Sequence, residues 1–342
     1  MRNLLIILFI AIFTHSCNNP DKRIQKDFPE HIKLTATKKI INEIIKPVNL
    51  VIHNDYLIIQ SETMPERPCF FVYSLSTLDF LYSFGEVGES ENEFLSPTIF
   101  RNQDRKLFSI FDQRRRDFKS YEISATGASL RSRTRLEEPT QFPIQEASFI
   151  NDSIFMYLTV DNNIVSYNMN SATIIDSLRF DTGIEDDLDT KYNQSLDFFH
   201  FSNSHNKIVT AHNFIDHISL NRCSDDGKFE NKVTDIKNKV TDINSQLRKN
   251  IYQYPYIYST SELILAQFSG YKFQQLQPFP INLGKRHFDF QMEVYDWNLN
   301  PRAILEFDNN ILRCEIDEKS KKIITWDPLE DFEHLLVYTY DF

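Results

Sequence analysis

The chain has 342 residues, 13% of them aromatic and 25% charged, and a formal net charge of −11. An acidic chain has no long-range attraction for nucleic acid or anionic lipid, so no nucleic-acid partner is expected. Seven glycines are few for a protein of many tight turns, which leaves Asn and Asp to make them, as in NDY, NDS, DNN and HNK.

The first element is an apolar run, 4–13, behind Arg2. Spanning a bilayer takes about 20 residues, so this run has the form of a secretory leader rather than a membrane span. The segment Thr14-His15-Ser16-Cys17 then resembles a bacterial lipobox, whose cysteine becomes the lipidated first residue of the mature protein. Residues 1–16 are therefore expected to be a signal peptide, Cys17 the lipidation site, and 17–30 a polar tether to a single domain, 31–342. The plainer alternative is an ordinary leader with a chance cysteine. Removing residues 1–16 takes away only Arg2 among the charges and moves the net charge to −12. Several acyl chains on Cys17 would hold the protein firmly on a membrane, whereas one would not.

Beyond the tether, a polar turn followed by an apolar strand occurs six times: HNDYLIIQ, QDRKLFSIF, NDSIFMYLT, SHNKIVTAH, TSELILAQF and EKSKKIITW. Their first aliphatic residues are Leu57, Leu107, Ile154, Ile208, Leu263 and Ile323, spaced by 50, 47, 54, 55 and 60. A second motif, clearest in FFVYSLSTLDFLYSF, reads as a β-hairpin. Tyr73, Tyr121, Tyr167, Tyr295 and Tyr338 mark its register from copy to copy. With one more short strand before each turn, a unit has four strands, the make-up of a propeller blade. The expected fold is all-β, a six-bladed propeller. Its last unit stops after three strands at LLVYTYDF, and the segment 32–40, IKLTATKKI, is expected to supply the missing outer strand and close the ring.

One segment breaks the pattern. Val233, Ile236, Val240, Ile243 and Leu247 recur at steps of three and four and predict a short helical insertion near 233–250. Its first part reads alternatively as the outer strand of blade four. Three cysteines remain after Cys17, namely Cys69, Cys223 and Cys314. With no CxxC among them, isolated buried thiols are expected.

The connector YSFGEVGESENEFLSP, residues 82–97, resembles one found in the TolB-like six-bladed propeller lipoproteins of Gram-negative envelopes. Phe84, Gly85, Gly88, Glu93, Phe94 and Pro97 fit that pattern, while Ser90-Glu91-Asn92 stands where the family has Gly-Pro-Gly. The resemblance implies a propeller fold and an envelope location. It carries over no catalytic residues.

The chain contains no G-x-S-x-G elbow, P-loop, HExxH or paired-cysteine zinc motif. His200, His205, His212 and His217 are separated by odd steps, which turn neighbours within one strand to opposite faces. The acidic run at 185–189 lacks the ligand alternation of a calcium loop. No metal site, cofactor or catalytic residue is expected. The long loops fall between second and third strands and between blades, which share one end of a propeller, and function commonly sits on such loops. Arg114, Arg115, Arg116, His212, Tyr271 and Arg286 are the candidate ligand-binding residues at that end. They combine cationic forks with aromatic surface, a chemistry suited to an anionic or sugar-like ligand. The bland reading pairs the arginines with Asp112 and Asp117, and packs the tyrosine into the core. The expected function is a non-catalytic envelope lipoprotein that binds a protein, peptide or glycan partner. The alternative is a metal-dependent hydrolase or lactonase on the same scaffold, since fold alone does not decide.

Overall fold

The structure is a computed structural model, and it describes residues 27–341 except 45, 102–105, 137–143, 145, 160–162, 182, 184–197, 237, 241–242, 273–289, 312 and 329–331, with 144 and 183 described. Cys17, the acidic run at 185–189 and Arg286 thus lie outside the described residues. Two strands, β1 (Glu30–Leu34) and β2 (Thr37–Ile40), precede the first blade. Blade one is β3 (Pro47–His53), β4 (Tyr56–Ser61), β5 (Phe70–Ser74) and β6 (Phe80–Phe84). Blade two is β7 (Pro97–Ile99), β8 (Phe108–Asp112), β9 (Asp117–Ser124) and β10 (Gly127–Arg135). Blade three is β11 (Ala147–Phe149), β12 (Ile154–Leu158), β13 (Ile164–Asn168) and β14 (Thr173–Asp181).

Blade four is β15 (Phe198–Ser202), β16 (Lys207–Ala211) and β17 (Ile218–Arg222), with a bridge between Cys223 and Phe229 marking its outer position. There follow β18 (Val233–Asp235), helix α1 (Ile243–Lys249) and β19 (Ile251–Tyr252). Blade five is β20 (Tyr256–Ser259), β21 (Leu263–Phe268), β23 (Gln291–Asp296) and β24 (Pro301–Phe307), with the small strand β22 (Tyr271–Lys272) pairing back to β19. Blade six is β25 (Cys314–Asp317), β26 (Lys322–Thr325) and β27 (His334–Thr339).

Each blade is antiparallel and runs outward from its first strand. The two faces of every blade are apolar, and each buries against a neighbour. Clusters of buried side chains fill all six interfaces. Tyr121 and Phe108 meet Phe70 and Val72 between blades one and two, and Phe118 meets Phe149 and Phe155 between two and three. Ile208 meets Met156 between three and four, and Val209 meets Ile264 between four and five. Leu265 meets Ile323 between five and six, and Trp326 meets Leu57 between six and one. The ring is therefore closed and sequential. Burying one such side chain fully is worth about 1.5–3 kcal/mol, so each interface is a separate reserve of stability.

The six repeated apolar runs are the second strands of the blades, and the five register tyrosines all stand on third strands. Tyr73, Tyr121, Tyr167, Tyr295 and Tyr338 are each 7% exposed or less. They are core residues between blades.

Closure is made by β2, which pairs antiparallel with β27 as the outer strand of blade six. The expected closing segment is divided, however. Its first half belongs to β1, which lies parallel to β24 as a fifth strand on blade five. The break falls at Ala36, whose N–H donates to the Asp308 carboxylate (3.2 Å to Oδ1) and so turns the chain from one blade to the next.

The helical insertion is shorter than its periodicity suggests. Among the described residues of this segment, the helix is Ile243–Lys249. Val233–Asp235 is instead a fifth strand, parallel to β14 on blade three rather than on blade four. The Asp235 carboxylate accepts from the Asn238 N–H (3.1 Å) and stops the strand in a turn. Ile236, Ile243 and Leu247 still share one buried face, packed on Phe214 and Ile215. The spacing marked three buried positions with the wrong backbone, because a turn followed by a helix keeps Ile236, Ile243 and Leu247 on one side, while Val233 on the strand stays 43% exposed.

Candidate functional site

The first strands of the six blades line the central channel, and their side chains carry an unexpected concentration of charge. Arg101 follows β7 in blade two. Its Nη1 donates to the carbonyl of Ile257 in blade five at 3.0 Å, and its guanidinium lies 4.5 Å from the centroid of the Tyr258 ring. Blades two and five face each other across a six-membered ring, so this side chain crosses the channel.

Carboxylates from a second opposed pair, blades three and six, flank it. Glu146, just before β11 in blade three, has Oε2 3.9 Å from Nη2 of Arg101, both side chains being under a tenth exposed. Glu315, on β25 in blade six, adds a second carboxyl within the same field and meets the Ile52 N–H of blade one. His200, on β15 in blade four, bonds through Nδ1 to the Ser259 hydroxyl at 2.5 Å. All six blades therefore contribute to one bridged network. Arg313 stands beside it, with Nε donating to the Tyr256 hydroxyl at 3.4 Å.

Burial sets the electrostatics of this network. Desolvation lowers the pKa of Arg101, but the charges of Glu146 and Glu315 more than reverse this. Burial raises the carboxyl of Glu146 despite Arg101 and Arg313. Burial likewise pushes Glu315 up to about 8, against the pull of Arg101. Its Oε1 is shielded from solvent and has no hydrogen-bond partner. Burial, with Arg101 nearby, pushes the His200 imidazole down to about 3.

The loop-bearing end is separate from this network. Asp112 organises the arginine turn between β8 and β9. Its Oδ1 accepts from the N–H groups of Arg114 (3.1 Å) and Arg115 (3.2 Å), and Oδ2 accepts from Leu95 (2.8 Å). Arg114 and Arg116 are exposed, and Arg116 has a positive φ of 60°. Arg115 is 15% exposed, and its Nη2 donates to the carbonyls of Gly88 (3.1 Å) and Ser90 (2.9 Å) in the connector. Lys119, fully buried, donates to the carbonyls of Glu91 (2.8 Å) and Glu93 (2.5 Å) over the face of Phe94. The connector thus offers carbonyls to two cations.

Its glycines have matching reasons. Gly85 has φ +82°, and a Cβ there would lie 2.6 Å from the Phe70 ring. A Cβ on Gly88 would collide with the Glu93 carboxylate, which itself accepts from the Ser90 N–H at 2.7 Å.

Among the remaining candidates, Tyr271 is half-buried, opposite Tyr252 in the small β19–β22 ribbon and edge-on to Phe290 at 6.1 Å. His212 is 1% exposed, with neither ring nitrogen bonded, and its ring centroid is 6.2 Å from that of His217. Burial and His217 push it down to about 3. His205 stacks on Trp297 at 4.6 Å. The four histidines are thus dispersed, apart from the 212–217 pair. Among the described residues no group of three or more His, Cys, Asp or Glu side chains is placed to hold a metal ion. Cys69, Cys223 and Cys314 are free and buried.

The buried titratable groups predict a pH profile with opposing arms. His200 and His212 bind a proton in the unfolded chain below about 6.5 and in the folded chain only near 3. Stability is therefore lost as pH falls through that window, at up to about 1.4 kcal/mol per pH unit for each proton. Glu315 does the reverse. Its folded form keeps a proton that the unfolded form releases above about 4.5, so stability is lost as pH rises from 4.5 to 8. Melting curves across pH 4–9 should show Glu315→Gln gaining on the wild type over that upper window. Parallel profiles would mean that the carboxyl titrates normally.

The fold and site define a closed six-bladed propeller with a bridged channel and one elaborated end. The comparisons with known proteins extend this. No family model matches the chain, and no curated protein sequence matches it. Solved structures do. A member of the DUF4221 family from Bacteroides vulgatus superposes with a TM-score of 0.53 at 10% identity, over 90% of this chain and 98% of the other. A Bacteroides fragilis protein designated as exported superposes with a TM-score of 0.50 at 11% identity, over 90% of this chain and 97% of that one. At these identities the likeness is one of fold.

Proposed function

We propose that this protein is an exported, lipid-anchored propeller that binds a partner macromolecule in the cell envelope through its loop-bearing end. The observation that carries this reading is the division of labour in the ring. Arg101 bridges the channel from blade two to blade five, whereas the opposite-strand loops 62–69, 113–116 and 212–217 gather at one end with exposed Arg67 and Arg114. A bridged channel favours a ligand held on the surface. The secretory leader, the lipobox-like segment before Cys17, and a fold shared with an exported protein all favour the envelope. The arginine turn 114–116, in a chain of net charge −11, favours an anionic or sugar-like group on the partner, whether protein, peptide or glycan. Arg115 is better regarded as a staple of the connector than as a ligand contact.

Two measurements test this. Cys17→Ser should move the protein out of the membrane fraction and remove an acyl mass from its N-terminal peptide; unchanged fractionation would rule out the anchor. On glycan and peptide arrays, Arg67→Glu combined with Arg114→Glu should lower binding at least ten-fold with little change in Tm. Loss of binding from Lys319→Glu at the other end, with the arginine pair silent, would move the partner to the wrong-side face.

A further inference from the structure

The point at which the N-terminal chain joins the ring determines which end faces the membrane. Strand β1 pairs parallel with β24, Glu30 opposite Ala303 and Leu34 opposite Phe307. Because β24 begins after the 297–300 turn, the start of β1 lies toward the end that carries the turns between first and second, and third and fourth, strands. Phe28, 9% exposed, packs edge-on against Tyr295 at 5.3 Å and so fixes the chain just before β1. Trp297, in the same apolar cluster, stacks on His205 in the short turn of blade four. The chain therefore leaves the ring on its short-turn side, between blades four and five. The long loops emerge from the opposite side.

Given the anchor at Cys17, on which this inference rests, we propose that the protein stands with its short-turn end toward the bilayer and presents its loop-bearing end away from it. The partner is then a macromolecule reached through the aqueous space beyond the ring, not the headgroups of the anchoring leaflet. Eleven residue steps separate Cys17 from Phe28 and reach at most about 40 Å when extended. That length keeps the ring near the surface without fixing it there. The turns at the near end carry Asp55, Asp152, Asp225, Asp226 and Glu318 beside Lys106, Lys228, Lys319 and Lys321, all exposed. Charges so mixed give that end no strong net attraction for anionic lipid, so the tether sets the arrangement.

The test places a fluorophore on Lys319→Cys at the short-turn end or on Arg67→Cys at the loop end. The buried thiols Cys69, Cys223 and Cys314 are poor competitors for labelling. The full mature chain is bound to phosphatidylcholine vesicles containing acceptor-labelled headgroups, in two forms: the native product purified from membranes, and a chain with hexahistidine in place of the acyl anchor on nickel-chelating lipid. Energy transfer from position 319 should exceed that from position 67 at least two-fold in both. Equal transfer, or stronger transfer from position 67, overturns the orientation. If the native product fails to stay on vesicles while the tagged chain gives the expected ratio, the anchor has failed and the exit geometry stands.

Discussion

Arg101→Met should lower stability by about 3–5 kcal/mol, the effect of leaving a buried carboxylate without its cation. For a domain of this size that corresponds to a fall in Tm on the order of 10 °C. The reason lies in what the substitution leaves behind. Glu146 is nearly fully buried, and Glu315 has an unbonded Oε1. Both carboxyls already sit above their ordinary pKa because burial outweighs Arg101. Glu315 already keeps its proton at neutral pH, so the further cost falls mainly on Glu146, which without the arginine would be protonated or exposed. The loss should therefore be smaller in the background of Glu146→Gln and Glu315→Gln, a coupling of 1 kcal/mol or more in a double-mutant cycle. A drop of less than about 1 kcal/mol for Arg101→Met, or strict additivity with the glutamine pair, would show that the bridge is a crossing without energetic consequence.

Removal of everything through Ile40 should be comparably severe. The deletion takes away β2, and with it the hydrogen-bond ladder from Thr37 opposite Val337 to Ile40 opposite His334. It also takes β1 off blade five, along with the buried Leu34 and Phe28. Two large apolar side chains at about 1.5–3 kcal/mol each, and several backbone hydrogen bonds at about 1 kcal/mol net, make a loss of several kcal/mol. It would also leave β27 an open edge, prone to pairing with other chains. A chain that starts at Asp27 should melt with the intact mature protein. Truncated and mature forms melting together, with no rise in aggregation, would refute closure by the N-terminus.

Much of this architecture was legible in the sequence because blades repeat. The apolar run after each polar turn and the tyrosine of each third strand recur at similar intervals, and core positions that recur advertise themselves. The channel network does not recur. Arg101, Glu146, His200 and Glu315 come from four blades, each occurs once, and no spacing links them. The one available signal was charge placed beside strands otherwise apolar, as Glu315 stands between Cys314 and Ile316. The division of 32–40 between two blades was hidden for a different reason. Ala36 and Asp308 meet 272 residues apart, and no local preference reports such a contact. Val233-Thr234-Asp235-Ile236 misled through periodicity: the extended strand buries Thr234 and Ile236 and turns Val233 outward, the alternation of a strand rather than a helical face. At the elaborated end, Arg114, Arg115 and Arg116 looked alike in sequence. The fold separates them, because only Arg115 lies where the carbonyls of Gly88 and Ser90 converge.

The ladder between β2 and β27 also dictates when the molecule can finish folding. Thr37 must find Val337, 300 residues further along the chain. Closing so long a loop costs entropy that no earlier contact repays, and contacts of this separation form slowly. A chain delivered N-terminus first would assemble its blades one after another while β2 waits for the last of them. Through that interval both unpaired edges stay open to neighbouring molecules. Newly made chains at high concentration are then most vulnerable at the final step, and a holdase chaperone that masks either edge should raise the yield of closed rings more than it changes their final stability.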